Sequence, residues 1–417
     1  MTAGMSQTRM RHVTLGLRGR LLGATAAAAA LSLGLVGVAP AALAADVQSK
    51  QWYLNAMQAE EMWKTTTGEG VKVAVIDTGV NPSTASLNGQ VLKGLDATGV
   101  GGDETDDYDG HGTTMAELIA GTGKGGGLKG LAPGAKIIPM RVADSDWQTK
   151  ERANSLDTTD AIRAAADSDA KIISMSFGNE FKLDEEREAV KYAQSKGKLF
   201  FAAVGNGAKE GNSESYPAAY PEVVGVSSAD REGKVADYSQ NGSTVDIAAP
   251  GNDIPHWCDS SFRDYCDGEG TSAATAIASA SAALVWSAHP DWTANQVLNV
   301  LFDTASRDWK DDTLSKYLGH GLIRPSMNIL KGKGEPGDPD ISPLTNEKTS
   351  GSAGSAAPSA SASSQPGKNE KAEDAAMAGS SAERDDNSQL GLIIGGVAVV
   401  LVLGGAAFAL ARKRRAA

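Results

Sequence analysis

The sequence predicts a three-layer α/β fold, with a mostly parallel central sheet covered by helices on both faces. Three observations predict it. Continuous apolar runs rich in Val, Ile and Phe recur through the middle of the chain, as strands buried on both faces require. Stretches of helical character separate them, and strand–helix–strand alternation closes into parallel pairs. The polar residues of chemical interest fall where those runs end, and open sheets of this kind bind ligands outside the carboxyl ends of their strands.

Taken in order, the strand runs are Val71–Asp77, Lys136–Val142, Lys171–Phe177, Lys198–Gly205 and Val223–Ser228. Helices are expected over His111–Ala120, Thr158–Asp167 and Asp184–Lys196, and two more, Thr271–Ala288 and Thr293–Thr304, close the domain. No internal repeat is visible.

Both ends of the chain read as addressing segments rather than as fold. Arg9, Arg11, Arg18 and Arg20 precede an apolar run from Leu21 to Ala39 and a small-x-small site, Ala42-Leu43-Ala44. That is the pattern of a signal peptide over 1–44; an uncleaved anchor is the competing reading. At the far end, Leu390–Ala411 is apolar and uncharged, and Arg412, Lys413, Arg414 and Arg415 follow it. At about 1.5 Å per residue such a helix spans about 33 Å, enough for a bilayer. The basic cluster over 412–417 is expected in the cytoplasm and the rest of the chain outside the cell. Between domain and helix, 331–389 is rich in Ser, Gly, Ala and Pro and reads as a disordered stalk.

The formal charge of −12 becomes −20 once the four arginines of the leader and the four basic residues of the tail are set aside. No nucleic-acid partner is implied by so acidic an ectodomain. The two cysteines, Cys258 and Cys266, are an isolated close pair in an exported domain and read as a disulfide. Two cysteines alone make no structural zinc site. The loop Asp103–Asp109 holds five carboxylates, Asp103, Glu104, Asp106, Asp107 and Asp109. Carboxylates suit calcium, but this is not EF-hand spacing, so the loop reads as a solvated acidic rim and no metal is assigned. Such a rim would favour basic residues in a substrate.

Three short motifs carry chemistry. Ala74-Val75-Ile76-Asp77-Thr78-Gly79 puts an Asp at the end of a buried strand. Asp109-Gly110-His111-Gly112-Thr113 puts a His at the start of a helix. Gly270-Thr271-Ser272-Ala273-Ala274 puts a Ser at the start of an Ala-rich helix. Each is weak alone; the three in the order Asp, His, Ser are specific. Elimination supports His111. Of the other four histidines, His12 lies in the leader, His256 beside the cysteine pair, His289 before Pro290 and His320 near the domain's close.

Over roughly Gly68 to Leu330 the sequence resembles the subtilisin family. Ser174-Met175-Ser176-Phe177-Gly178, Ala202-Ala203-Val204-Gly205-Asn206, Asp246-Ile247-Ala248-Ala249-Pro250-Gly251 and Gly319-His320-Gly321-Leu322-Ile323 extend the likeness. The resemblance implies a subtilisin-like fold and a serine endopeptidase acting on protein or peptide substrates. Ser272 would be the nucleophile, His111 its base and Asp77 the group that orients the imidazole. Asn206 would complete the oxyanion hole, and Ser176, Phe177, Gly178 and Gly205 would line the substrate cleft. Tyr216-Pro217 would be a cis peptide. No cofactor is assigned, and structural calcium stays the alternative at the acidic loop. Two positions depart from the family pattern: Thr114-Met115 stands where His-Val is usual, and Ala273-Ala274-Thr275-Ala276 replaces Met-Ala-x-Pro.

The stretch between Ala44 and Asp77 has no room for an inhibitory domain of the usual family kind. Residues 45–70 therefore read as an N-terminal wrap, with the peptidase domain over 71–330. Leader, wrap, domain, stalk and C-terminal helix together are similar to the mycosins of actinobacterial type VII secretion. That likeness implies a single-pass membrane protein with its catalytic domain outside the cell, and a secretion complex as partner. The competing function, from another class, is a catalytically silent or secondary cell-surface binding or structural partner of such a complex.

Overall fold

The computed structural model describes residues 47–99, 101–142, 156–309 and 313–349. The expected leader, membrane helix, cytoplasmic tail and most of the stalk lie outside the described residues. Among the described residues, no helix is long and apolar enough to cross a membrane.

Seven parallel strands form the central sheet: β1 (Lys72–Asp77), β2 (Leu95–Asp96), β3 (Lys136–Arg141), β4 (Ile172–Met175), β5 (Leu199–Ala203), β6 (Val224–Ala229) and β7 (Ile247–Pro250), in the order β2-β3-β1-β4-β5-β6-β7. β1 pairs in register with β3 on one side (Asp77 opposite Arg141) and with β4 on the other. The chain thus runs one way from β1 to β3, then reverses to build β4 through β7. The crevice at such a reversal is where a parallel sheet receives ligands, and Asp77 stands at the carboxyl end of β1.

Alternation along the strands explains the three layers. Val73 and Val75 of β1 pack on one face with Ile137, Ile172, Phe201, Val224 and Ile247. Ala74 and Ile76 turn to the other face with Ile138, Met140, Ile173, Met175 and Phe200. The first face receives α3 (His111–Ala120), α6 (Thr271–Ala288) and α7 (Ala294–Asp303); the second receives α4 (Leu156–Asp167) and α5 (Asp184–Ser195). Fifteen of the eighteen residues of α6 are buried, so this helix is hydrophobic on all sides and central. Its many Ala and Ser side chains let it lie close to the sheet.

The five expected strand runs and five expected helices all form, within a few residues of their expected ends. β2, β7 and an antiparallel hairpin, β8 (Ile254–Trp257) with β9 (Tyr265–Gly268), are additional. Among the described residues, the short helices α1 (Trp52–Ala56), α2 (Ala59–Met62) and α8 (Pro325–Lys331) are additional too.

The segment carrying α1 and α2 packs as part of the domain. Tyr53, Ala59 and Met62 are fully buried. Trp52 Nε1 donates to Asn252 O at 2.9 Å and Trp63 Nε1 to Leu131 O at 2.8 Å. At the other end, composition placed the stalk's start at residue 331. The structure corrects this for 332–349, which lie along α7. Asn299 Nδ2 donates to Pro336 O (3.2 Å), Asn295 Nδ2 to Pro339 O (2.9 Å) and Thr293 Oγ1 to Pro339 O (3.0 Å). A segment poor in apolar residues is ordered here because α7 side chains satisfy its backbone carbonyls.

Candidate active site

The residues singled out in the sequence come together. Asp77, His111, Ser176, Phe177, Gly178, Gly205, Asn206 and Ser272 all line one open cleft of about 530 Å³ at the carboxyl ends of β1, β4 and β5.

Asp77 is the last residue of β1 and fully buried; His111 is the first of α3. Their backbones can approach because residue 112 is Gly. A Cβ there would sit 2.2 Å from Gly79 O and 3.0 Å from Asp77 Cβ. His111 Nδ1 lies 2.7 Å from Asp77 Oδ1, which also accepts from Thr78 N at 2.8 Å. An ionised carboxylate only accepts, so Nδ1 carries the proton and Nε2 is the basic nitrogen. Burial disfavours the imidazolium, but Asp77, with Asp109 and Asp107 behind it, outweighs that and lifts His111 to about 9. The ring keeps 31% of its surface exposed, so solvent screens part of this attraction.

Ser272 opens α6. Its Oγ donates to Ser176 O at 2.6 Å, and Ser176 Oγ returns a bond to Ser272 O at 3.1 Å. No hydrogen bond joins Ser272 to His111; a change of side-chain rotamer is needed to bring the hydroxyl to the imidazole.

Asn206 follows β5. Its Oδ1 accepts from both Thr271 N and Thr271 Oγ1, each at 2.9 Å. That leaves Nδ2 free to donate. A carbon placed where Gly270 would carry a Cβ lies 3.5 Å from Asn206 Nδ2 and 3.7 Å from Ser272 N. Two donors therefore converge on open space beside Ser272, one of them at the positive end of a long helix. The arrangement can deprotonate a hydroxyl and stabilise a new oxyanion next to it.

Gly178 has a reason that sequence reasoning missed. A Cβ there would meet Ser215 Oγ at 2.4 Å and Tyr216 O at 2.6 Å. Tyr216-Pro217 is cis, and Asn179 bridges to Tyr216 beside the cleft.

The acidic loop is corrected more substantially. It is not a uniform solvated rim. Asp107 is only 6% exposed, and its carboxylate accepts from the backbone and side chains around His111. Asp103 and Asp106 bond within the loop. Glu104 accepts from Gly94 N at 3.0 Å. Among the described residues, no group of three carboxylate, His or Cys side chains is arranged to hold a metal ion.

Cys258 and Cys266 form a disulfide across the β8–β9 hairpin. That hairpin braces α3. Trp257 N donates to Thr114 Oγ1 (3.0 Å) and Tyr265 OH to Glu117 Oε2 (2.7 Å). Thr114, one of the two departures from the family pattern, is thus the acceptor that docks the hairpin.

A family model for the Peptidase S8 subtilase family matches residues 68–321. The chain belongs to the subtilase family. This subtilase is 36% identical over 231 residues to thermitase of Thermoactinomyces vulgaris, covering 54% of this chain and 78% of that one. It is 33% identical over 260 residues to subtilisin BL of Lederbergia lenta, covering 62% and 92%. Among solved structures it is similar to the MycP3 protease from the type VII (ESX-3) secretion system, with TM-score 0.56 at 28% identity over 67% of this chain and 88% of that chain. It is also similar to MycP1 from Mycobacterium smegmatis, with TM-score 0.57 at 26% identity over 69% and 86%. The subtilase is a serine endopeptidase with the seven-stranded parallel sheet of the subtilisin fold.

Proposed function

We propose that this subtilase is an exported, membrane-anchored endopeptidase that cleaves exported proteins with Asp77, His111 and Ser272 as its triad. The observation that carries the reading is the 2.7 Å His111–Asp77 pair, in one cleft with Ser272 and a free Asn206 amide donor. In this mechanism a bound peptide pairs as an added strand along Ser176–Gly178. Ser272 Oγ leaves Ser176 O, gives its proton to His111 Nε2 and attacks the scissile carbonyl. Asp77 stabilises the imidazolium so formed. Asn206 Nδ2 and Ser272 N hold the oxyanion. His111 then protonates the leaving amine, and water resolves the acyl-enzyme by the same steps in reverse.

The leader over 1–44, the apolar stretch 390–411 and the basic tail support export with a C-terminal anchor, leaving the catalytic domain outside the cell. The likeness to MycP1 and MycP3 supports work beside a type VII secretion complex. One observation favours the silent-scaffold alternative: Ser272 Oγ is bonded to Ser176 O rather than to His111. Labelling the detergent-solubilised full chain with a fluorophosphonate, beside Ser272→Ala, decides between them. Labelling is expected in the parent and lost in the variant. A well-folded parent that stays unlabelled would overturn the triad reading in favour of the scaffold.

A further inference from the structure

Five donors converge on a single buried carboxylate four residues ahead of His111. Asp107 Oδ1 accepts from Thr78 Oγ1 (2.9 Å), Gly110 N (2.8 Å) and Asp109 N (3.1 Å). Its Oδ2 accepts from Thr113 N (2.9 Å) and from Thr113 Oγ1. Thr78 Oγ1 in turn accepts from Gly112 N at 3.0 Å, while Thr78 N holds Asp77 Oδ1 at 2.8 Å. Residues 110, 112 and 113, on both sides of His111, are therefore each tied to Asp107 or Thr78. The same two side chains reach the end of β1.

We propose that Asp107 is a positioning residue of the reaction, a buried brace that ties the first turn of α3 to the end of β1 and so holds His111 against Asp77. The inference rests on the triad reading and adds a residue that never touches substrate.

The chemistry of the donors makes the carboxylate hard to replace. Gly110 N, Asp109 N and Thr113 N can only donate. Thr78 Oγ1 accepts from Gly112 N, and its one proton points to Asp107 Oδ1 at 2.9 Å, with Asp77 Oδ1 a longer second acceptor at 3.4 Å. An ionised carboxylate accepts on both oxygens; an amide of the same shape must aim its NH₂ at donors on one side or the other. Leaving buried donors unpaired is costly. The first turn of α3 is then expected to shift, and a misplacement of about 1 Å at a reacting group costs on the order of 10²-fold in rate. Asp107 is also one of three carboxylates, with Asp77 and Asp109, whose charge favours the His111 imidazolium.

The test is steady-state hydrolysis of a peptide by the solubilised full chain across pH 5–10. The variants are Asp107→Asn, Asp103→Asn, Thr78→Val and Thr78→Ser. Asp107→Asn is expected to lower kcat by about 10²-fold with KM within about threefold, because substrate contacts are untouched. Its pH midpoint is expected to move toward acid, since one negative charge near His111 is gone. Asp103→Asn removes an exposed charge from the same loop and should leave both parameters near those of the parent. If Asp107→Asn does not fold, the Thr78 pair decides. Val, without the hydroxyl, should lose about tenfold in kcat or more, and Ser, which keeps it, should restore the parent value. A kcat for Asp107→Asn within about threefold of the parent at equal folded fraction would overturn the inference. So would Thr78→Val behaving like Thr78→Ser. Absence of Ser272-dependent turnover in the parent would sink the triad reading, and this inference with it.

Discussion

The helix that starts at His111 and the helix that starts at Thr271 deliver the proposed base and nucleophile to the same cleft, and both are buried over nearly their whole length. They are held by different forces. α6 contains no charged residue, and two of its hydroxyls return to its own backbone, Thr275 Oγ1 to Thr271 O and Ser281 Oγ to Ile277 O. Packing holds most of its length, and neutral partners tie its ends: Thr271 to Asn206 Oδ1, Ser272 to Ser176 and Ser287 Oγ to Glu69 O. α3 is fixed by polar side chains: Asp107 at its first turn, Thr114 to the hairpin, and Glu117 to Thr84 and Tyr265. The nucleophile thus sits on a helix with no ionisable group of its own, the base on one whose ties include the carboxylates of Asp107 and Glu117. Apolar burial is non-directional; hydrogen bonds also fix the register and direction of a helix.

The sharpest way to separate support from chemistry on the α6 side is Asn206→Ala. Asn206 joins the two roles, since Oδ1 holds Thr271 while Nδ2 is offered to the oxyanion. Loss of one oxyanion donor from a serine protease of this family costs roughly 3–4 kcal/mol of barrier, or about 10²–10³-fold in kcat. The expected result is that loss in kcat with KM little changed. A rise in KM with kcat preserved would show that Asn206 only binds substrate.

A purely steric break comes next. Ala280 lies in the middle of α6 and is fully buried. Ala280→Leu forces three extra carbons into a packed layer and is expected to cost about 1–3 kcal/mol in denaturant unfolding. Turnover per folded molecule should stay within about twofold, because the perturbation lies two turns or more from Ser272. If turnover falls with full stability retained, α6 transmits strain to its N-terminus and the contrast with α3 fails.

The sequence disclosed these two helices unequally. The Ser272 and His111 motifs were legible because each sets a reactive side chain among small residues and glycine at a helix start, and five strands were legible as apolar runs. β7 was read only as a motif, since Ile247-Ala248-Ala249-Pro250 is short and mostly small. The β8–β9 hairpin is hidden by its polar residues. Asp107 was lost among its neighbours for a physical reason. Which of five adjacent carboxylates turns inward depends on Thr78 and Thr113, whose hydroxyls reach it only after the strand and helix have docked. An acidic run carries no local signal of that choice. The N-terminal segment shows the same limit, since its short helices bury Tyr53 and Met62 only against a domain distant in sequence.

The smallest expected effect tests the polar support directly. Glu117 is fully buried on α3, accepts from Thr84 Oγ1 (2.8 Å) and Tyr265 OH (2.7 Å), and burial outweighs both bonds to push it up to about 7. Burial likewise pushes Glu186 and Asp246 up to about 7. A carboxyl group raised in the folded state binds its proton there more tightly than in the unfolded chain. Its contribution to stability is therefore largest at acid pH and declines as pH rises from the ordinary carboxylate range to about 7. His111, raised to about 9, extends the decline, since its charged form is favoured by folding until pH passes that value. Activity runs the other way, because His111 must be neutral to take the Ser272 proton, so kcat/KM should climb toward alkaline pH. Glu117→Gln separates the two trends. The amide oxygen can accept from Thr84 while its NH₂ donates to Tyr265 OH, so α3 keeps its ties and loses only the titration. The variant is expected to be more stable than the parent by about 1–2 kcal/mol at pH 8 and near parity at pH 5, with the pH midpoint of kcat/KM little moved. Equal gains at both pH values would mean that the carboxylate is not the titrating group. A loss at both would mean that the amide does not reproduce the two hydrogen bonds that hold the hairpin to the helix that carries His111.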